Sequence, residues 1–179
     1  MTRQLANEYD VIVAGGGPAG VCAAIQAARA GAATLLVEKN GMLGGTTTVA
    51  AVNYPGLFHA HGRQVIAGIG WDLVRRTVEL TFPDSMPDFS EDVGDRHYLH
   101  QVPVNVAVYA ALVDEALTDA GAHLLLHTMT AAAAPTNAGW RVTLCGKEGL
   151  REIATKVLID ATGDANVVAL AGLPLEKNP

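Results

Sequence analysis

Residues 9–39, YDVIVAGGGPAGVCAAIQAARAGAATLLVEK, decide the fold of this chain. An apolar strand, Tyr9–Ala14, runs into the glycine turn Gly15–Gly20 and then into a helix of small residues. A second strand, Thr34–Glu38, follows and ends in an acid. Strand, Gly-x-Gly-x-x-Gly turn, helix, strand and acid, in this order, predict a βαβ unit that binds a dinucleotide.

Each glycine of this turn has its own predicted task. Gly15 permits the tight turn out of the strand, Gly17 lets the backbone approach a pyrophosphate without an intervening Cβ, and Gly20 lets the helix pack close to the sheet. Pro18 fits the first helical turn, because the amide that proline lacks would be unpaired there. The remaining amides and the helix dipole favour a phosphate anion.

Glu38 is predicted to contact the ribose of the dinucleotide. At the tip of the second strand its carboxylate can accept hydrogen bonds from both hydroxyls of an adenosine ribose. A 2′-phosphate would be repelled by the same charge, which disfavours an NADP-type ligand. The βαβ unit by itself leaves NAD and FAD equally open.

Length and composition predict one compact domain, residues 1–179, with a small second lobe as the upper limit. Half of the residues are hydrophobic and 17% are charged, which argues against extended disorder. The formal net charge of −6 argues against nucleic acid and an anionic membrane as partners, because no basic stripe is present.

No targeting signal is found, so the cytoplasm is the default prediction. The uncharged run Val11–Ala28 divides into a strand and a helix rather than one membrane span, and residues 1–10 lack a signal-peptide pattern. The two cysteines, Cys22 and Cys145, form no Cys-x-x-Cys motif, so a redox-active dithiol is not predicted.

The rest of the chain continues as α/β. Helices are predicted at Gln64–Leu80 and Asn105–Ala120, and strands at Ala122–His127, Trp140–Cys145 and Ile153–Leu158. The last two strands suit a small antiparallel layer. The predicted fold class is α/β, a Rossmann-like FAD/NAD(P)-binding domain with a parallel sheet, a crossover helix on each face and this antiparallel layer.

Three motifs together resemble the amino-terminal FAD-binding part of FAD-dependent oxidoreductases. This broad family includes glutathione reductase and the succinate dehydrogenase and fumarate reductase flavoproteins. The motifs are Gly15–Gly20 with Glu38-Lys39, Leu43–Thr46 and Ile159–Asp164. The resemblance runs from Tyr9 to about residue 174. It favours FAD over NAD, because a simple NAD-binding domain has no reason to carry the second and third motifs.

The resemblance implies a role for each motif. Gly15–Gly20 would hold the pyrophosphate, and Glu38 the adenosine ribose. Gly44–Thr46 would run along the diphosphate towards the flavin, and the strand exit near Met129 would meet the adenine. Gly163-Asp164 would close over the ribityl and pyrophosphate region. The full predicted cofactor-binding set is Gly15, Gly17, Pro18, Ala19, Gly20, Glu38, Lys39, Gly44, Gly45, Thr46, Met129, Gly163 and Asp164.

No catalytic residue and no metal site are predicted. His59 and His61, in the long loop after the second strand, could form a metal pair, but no third ligand lies near in sequence. A proton-transfer role for either histidine is the other alternative. These two, and His97 and His100 in an acidic stretch, are predicted to be exposed loop histidines. Noncovalent FAD is expected, because Gly44–Thr48 contains no histidine, where related flavoproteins sometimes place a covalent link.

The predicted function is an FAD-binding oxidoreductase, or its FAD-binding fragment, which transfers hydride through the flavin to or from an unknown small molecule. The alternatives are a nucleotide-binding module without catalysis and an NAD-dependent dehydrogenase domain. Relatives usually continue beyond the third motif, so a truncated chain is expected, without the substrate-binding region that would follow about residue 174. The expected partners are a small molecule and either a second copy of the chain or the missing region.

Overall fold

A computed structural model describes residues 5–176, and residues 1–4 and 177–179, at the two ends of the predicted domain, lie outside that part. A six-stranded sheet has the order β5-β2-β1-β8-β7-β6, and β3 and β4 form a separate hairpin. The strands are β1 Glu8–Ala14, β2 Thr34–Val37, β3 His59–Ala60, β4 Arg63–Gln64, β5 His123–Leu125, β6 Met129–Thr136, β7 Gly139–Gly146 and β8 Gly149–Asp160. The helices are α1 Pro18–Arg29, α2 Ile69–Thr81, α3 Val106–Asp119 and α4 Asn166–Leu170.

The parallel half of the sheet is built around β1. β1 pairs in parallel with β2 on one side and with β8 on the other, and β5 extends the sheet beyond β2. β1, α1 and β2 therefore form the βαβ unit predicted from residues 9–39. The predicted α/β class, a Rossmann-like domain with a parallel sheet and an antiparallel layer, is confirmed.

Different elements pack against the two faces of the parallel sheet. Val13 and Leu36 point into a core shared with α1, α2 and α3. Ile12 and Leu35, on the opposite face, pack against Val142 and other residues of the antiparallel strands. The prediction of a crossover helix on each face is therefore wrong, because β6, β7 and β8 cover the second face.

β8 joins the two halves of the sheet. Its first part, residues 149–155, pairs antiparallel with β7, and its second part, residues 154–160, pairs in parallel with β1. The prediction placed only Ile153–Leu158 in this strand. β6 was not predicted, because its sequence, MTAAAAPT, lacks the large alternating side chains that mark a half-buried strand.

The start of α3 agrees with its prediction, whereas the start of α2 does not. α3 matches its prediction, with Asn105 as an N-cap whose side chain accepts from the amides of Ala107 and Val108. α2 begins at Ile69 rather than Gln64, because Gln64 lies in β4 and Gly68, at φ +85, separates that hairpin from the helix. No helix within residues 5–176 is both long and apolar enough to cross a bilayer.

Candidate functional site

The glycine turn lies where the strand order of the sheet reverses. β1 leads through α1 to β2 on one side, whereas its other neighbour, β8, arrives from the far end of the chain. The crevice at the carboxyl ends of such strands is where open α/β sheets bind their ligands. Gly15 has φ +102, and a Cβ there would overlap the carbonyl oxygen of Ala161.

The structure brings the three sequence motifs together at this turn. The amide of Gly44 donates to the carbonyl oxygen of Gly16 at 2.8 Å, and a Cβ on Gly45 would lie 2.8 Å from the Cα of Gly17. In the third motif, the amide of Ala161 donates to the carbonyl oxygen of Ala14 at 2.8 Å. Segments distant in sequence therefore form one site.

Gly17 is the glycine that the fold itself does not require. It has an ordinary φ of −69°, and a Cβ added to it would meet no atom within 4 Å. It is the N-cap of the 12-residue helix α1, no side chain caps that helix, and Pro18 follows at its start. The missing side chain keeps open a space in front of unpaired first-turn amides, which is a cradle for a phosphate group.

Glu38 is a buried acid at the edge of this cradle, 5% exposed. One carboxylate oxygen accepts from the amide of Gly16 at 2.6 Å. The other accepts from the backbone amide and the side-chain Nδ2 of Asn40, at 2.7 and 2.6 Å. A carboxylate has about four acceptor positions, so Glu38 keeps about one for a ligand hydroxyl.

A cavity of about 470 Å³ opens beside Glu38. Four residues of the predicted set line it: Gly15, Glu38, Lys39 and Met129. The remaining lining residues come from β1, β2, the start of β6, the turn after β8, and α4: Ala14, Val37, Thr128, Thr130, Thr162, Asn166, Val167, Ala169 and Leu170. The volume falls in the range of ligand pockets, and the cradle, the acid and the cavity together fit a dinucleotide.

Sequence reasoning missed the wall that α4 contributes. α4 has five residues, Asn166–Leu170, and so short an apolar segment shows no helical periodicity. The third motif was the available signal, because it fixes where β8 ends and α4 must begin. Gly163 and Asp164, the two residues predicted from that motif, are exposed and do not line the cavity.

The residues of the second motif support the turn. Gly44 is buried at φ +102, where a Cβ would crowd the side chain of Thr48. Thr48 in turn donates through Oγ1 to the carbonyl oxygen of Leu43 at 2.6 Å. Thr46 is exposed, and so are Pro18 and Ala19 at the start of α1, whereas Gly20 is buried under the turn.

The histidines lie apart from the cavity. His59 stacks on Phe89 with ring centroids 3.7 Å apart and meets Trp71 edge-on. His100 is buried against the same phenylalanine, so its predicted exposure is wrong; the apolar contacts of neighbouring Val102 hold this segment inward. Burial and nearby His100 lower the pKa of His59. The described residues contain no group of three metal-ligating side chains.

Residues 10–178 match the model of a family described as FAD dependent oxidoreductase. The chain is 53% identical over 55 residues to a dihydrolipoyl dehydrogenase of Trypanosoma brucei brucei, a match that covers 30% of this chain and 12% of that enzyme.

Solved structures share the fold, among them the following two. The anhydrotetracycline hydroxylase OxyS of Streptomyces rimosus superposes with a TM-score of 0.65 and 22% identity, over 96% of this chain and 35% of that one. Glycine oxidase of Geobacillus kaustophilus gives a TM-score of 0.62 and 16% identity, over 95% of this chain and 60% of that one. The chain thus spans about an eighth of the dehydrogenase and less than two thirds of either structure.

Proposed function

Because the chain belongs to the FAD dependent oxidoreductase family, we propose that its glycine turn and adjoining cavity hold FAD noncovalently and that the whole protein oxidises or reduces a small molecule. FAD is the cofactor of this family. One observation carries the proposal: the second and third motifs both contact the glycine turn, and Gly17 is the glycine of that turn where a side chain would fill only open space. When bound, FAD supplies the redox chemistry, a hydride transfer at the flavin N5.

The residues around the cavity bind and orient the cofactor in this proposal. The cradle at Gly17 takes the pyrophosphate, and the free acceptor position of Glu38 takes a ribose hydroxyl. Lys39 and Met129, which line the cavity, contact the adenosine in this proposal. Gly44 supports the turn through its hydrogen bond to Gly16, and the segment after it would run towards the flavin.

The predicted residues that do not line the cavity are proposed to support the cofactor site from outside it. Ala19 and Gly20 contribute first-turn amides to the cradle, and Pro18 contributes a fixed start to the helix. Gly45, which lies beside Gly17, and Thr46 run along the diphosphate. Gly163 and Asp164 close over the cofactor from the turn after β8.

The cofactor content of the purified chain tests this proposal. We expect a yellow protein with a flavin absorption spectrum, which releases FAD rather than NAD on denaturation; chromatography of the released nucleotide distinguishes the two. Anaerobic reduction and reoxidation by oxygen or quinones then test redox activity. A colourless chain that cannot be reconstituted with FAD would refute the proposal.

Gly17→Ala is expected to weaken FAD binding and to leave the apoprotein folded. The new Cβ meets no protein atom, so its volume is taken from the cofactor. Overpacking of this kind costs about 1–3 kcal/mol, which corresponds to about a 5- to 150-fold rise in the Kd for FAD. Flavin fluorescence titration measures the Kd, and far-UV circular dichroism in urea measures the stability of the apoprotein.

Gly17→Ser is the matched control variant for that experiment. Serine is a better N-cap than alanine, so the apoprotein is expected to be at least as stable as Gly17→Ala, while the added Cβ blocks the same space. Both variants should therefore lose FAD together. Wild-type affinity in both would place the pyrophosphate elsewhere.

Domain organisation, partners and cell compartment complete the proposal. We place one FAD-binding domain over residues 1–179, with a small-molecule substrate and with a second copy or further polypeptide completing the substrate site. The net charge of −6 supports the expectation of no nucleic-acid partner. Cys22 and Cys145 are free thiols, which supports a reducing compartment such as the cytoplasm; cell fractionation tests that location.

A further inference from the structure

We propose that Asp160 is a positioning residue of the cofactor site, whose carboxylate latches α4 in place as the outer wall of the cavity. Asp160 is the last residue of β8, and it does not line the cavity itself. The inference rests on the proposed function, because the wall matters only if the cavity holds FAD.

The carboxylate of Asp160 has all its acceptor positions filled by the turn and the helix. Its Oδ1 accepts from the amide and the hydroxyl of Thr162, at 3.0 and 2.7 Å. Its Oδ2 accepts from the amides of Val167 and Val168, at 2.8 and 2.9 Å. Four donors saturate a carboxylate, so Asp160 has no position left for a ligand. Its effect on the cofactor must pass through α4.

The segment that Asp160 holds cannot keep its shape alone. α4 has five residues, far fewer than an isolated helix needs in water. The turn before it contains Gly163 at φ +86 and Ala165 at φ +55, and a left-handed conformation is unfavourable for alanine. Thr162 Oγ1 also accepts from the amide of Asn166 at 2.9 Å, so the same hydroxyl links Asp160 to the first residue of the helix.

The latched segment forms one side of the cavity. Thr162, Asn166, Val167, Ala169 and Leu170 line it, and residues such as Glu38 and Met129 line the rest. Val167 is 4% exposed and packs with Ala14 and Ala133 in a small apolar cluster between α4 and the sheet. Without the carboxylate, this small cluster alone would hold the wall, and the cavity would open to water.

Asp160 is charged at neutral pH, as the latch requires. Partial burial raises the pKa of this carboxyl, but the hydrogen bonds from Thr162, Val168 and Val167 lower it by more, so the pKa lies below the usual range. Charge-assisted hydrogen bonds are stronger than neutral ones. An amide in place of the carboxylate has the same shape and only one oxygen, so it cannot accept from both pairs of donors.

Asp160→Asn in the full chain tests the latch. We expect the Kd for FAD, measured by fluorescence titration, to rise about tenfold or more. The Kd for AMP, which needs only the adenosine end of the cavity, should rise with it. Amide hydrogen exchange at Val167 and Val168 should become faster in the apoprotein.

Two control variants on β8 separate positioning from general stability. Ile153→Val removes one methyl from a residue that is 1% exposed, which lowers the free energy of unfolding without touching the cavity. Glu152→Gln removes a charge from an exposed position of the same strand. Both control variants should bind FAD with the Kd of the wild type, whereas the Kd of Asp160→Asn should be higher.

The outcomes distinguish this inference from the proposed function. If the wild type and Asp160→Asn bind FAD with equal affinity, the proposed function stands and the positioning role of Asp160 is overturned. A loss in Asp160→Asn no greater than in an equally destabilised Ile153→Val would also overturn it, because the effect would then be one of stability. A wild-type chain that binds neither FAD nor AMP would overturn both.

Discussion

Gly20→Ala is expected to destabilise the apoprotein by about 3 kcal/mol, because the new methyl group has no room beneath the turn. Its Cβ would overlap the carbonyl oxygen of Gly15 and lie 3.0 Å from the carbonyl carbon. Both atoms belong to the backbone, so no side-chain rotation can relieve the contact. The free energy of unfolding of a native protein is typically about 5–15 kcal/mol, so a loss of this size should be clearly measurable in urea unfolding followed by circular dichroism.

Gly70→Ala is the matched control for Gly20→Ala. Gly70 also lies in the first turn of a helix, α2, but a Cβ there would meet only the sulfur of Cys22, at an ordinary 3.7 Å. The same substitution should therefore be neutral or stabilising by up to about 1 kcal/mol, as alanine favours helix. Equal unfolding midpoints for the two variants would show that α1 does not approach the turn as closely as described.

Glu38→Ala is expected to weaken FAD binding about 5- to 150-fold and to destabilise the apoprotein as well. The ribose loses a charged acceptor, a loss of about 1–3 kcal/mol. The amide of Gly16 and both nitrogens of Asn40 lose theirs too, so the turn that forms the cradle is held less firmly. Fluorescence titration with FAD and urea unfolding of the apoprotein measure the two effects.

Glu38→Gln and Glu148→Ala complete that experiment. Glutamine keeps the shape and one oxygen, so its losses should be smaller than those of alanine. Glu148 is exposed, and Glu148→Ala changes the net charge equally while leaving the cavity intact. Unchanged FAD affinity in Glu38→Ala would show that the ribose is held elsewhere.

The sequence predicted those parts of the fold whose signals are local. The glycine turn, the apolar strand before it and the acid after it fix the βαβ unit within a few tens of residues. The spacing of apolar residues and Asn105 fix α3. In both cases the residues that determine the element are neighbours in sequence.

The missed features depend on contacts between distant segments. The alanines of β6 form a strand because β7 pairs with them, not because of their own β propensity. The cover of the second sheet face depends on how β8 passes from β7 to β1, which no local pattern encodes. His100 is buried although it follows an acidic stretch, because Phe89 packs edge-on against its ring and nearby Val102 lies in the core.

The pairing of β1 with β8 has a consequence for biosynthesis. Glu8 lies opposite Ala154 and Ala14 opposite Asp160, so during synthesis β1 completes its hydrogen bonds only after the chain has been made as far as Asp160. Contacts of such long range form slowly, and until then one edge of β1 stays open to wrong partners. The nascent chain can form its glycine turn early, but the cofactor can be loaded only after β8 has docked.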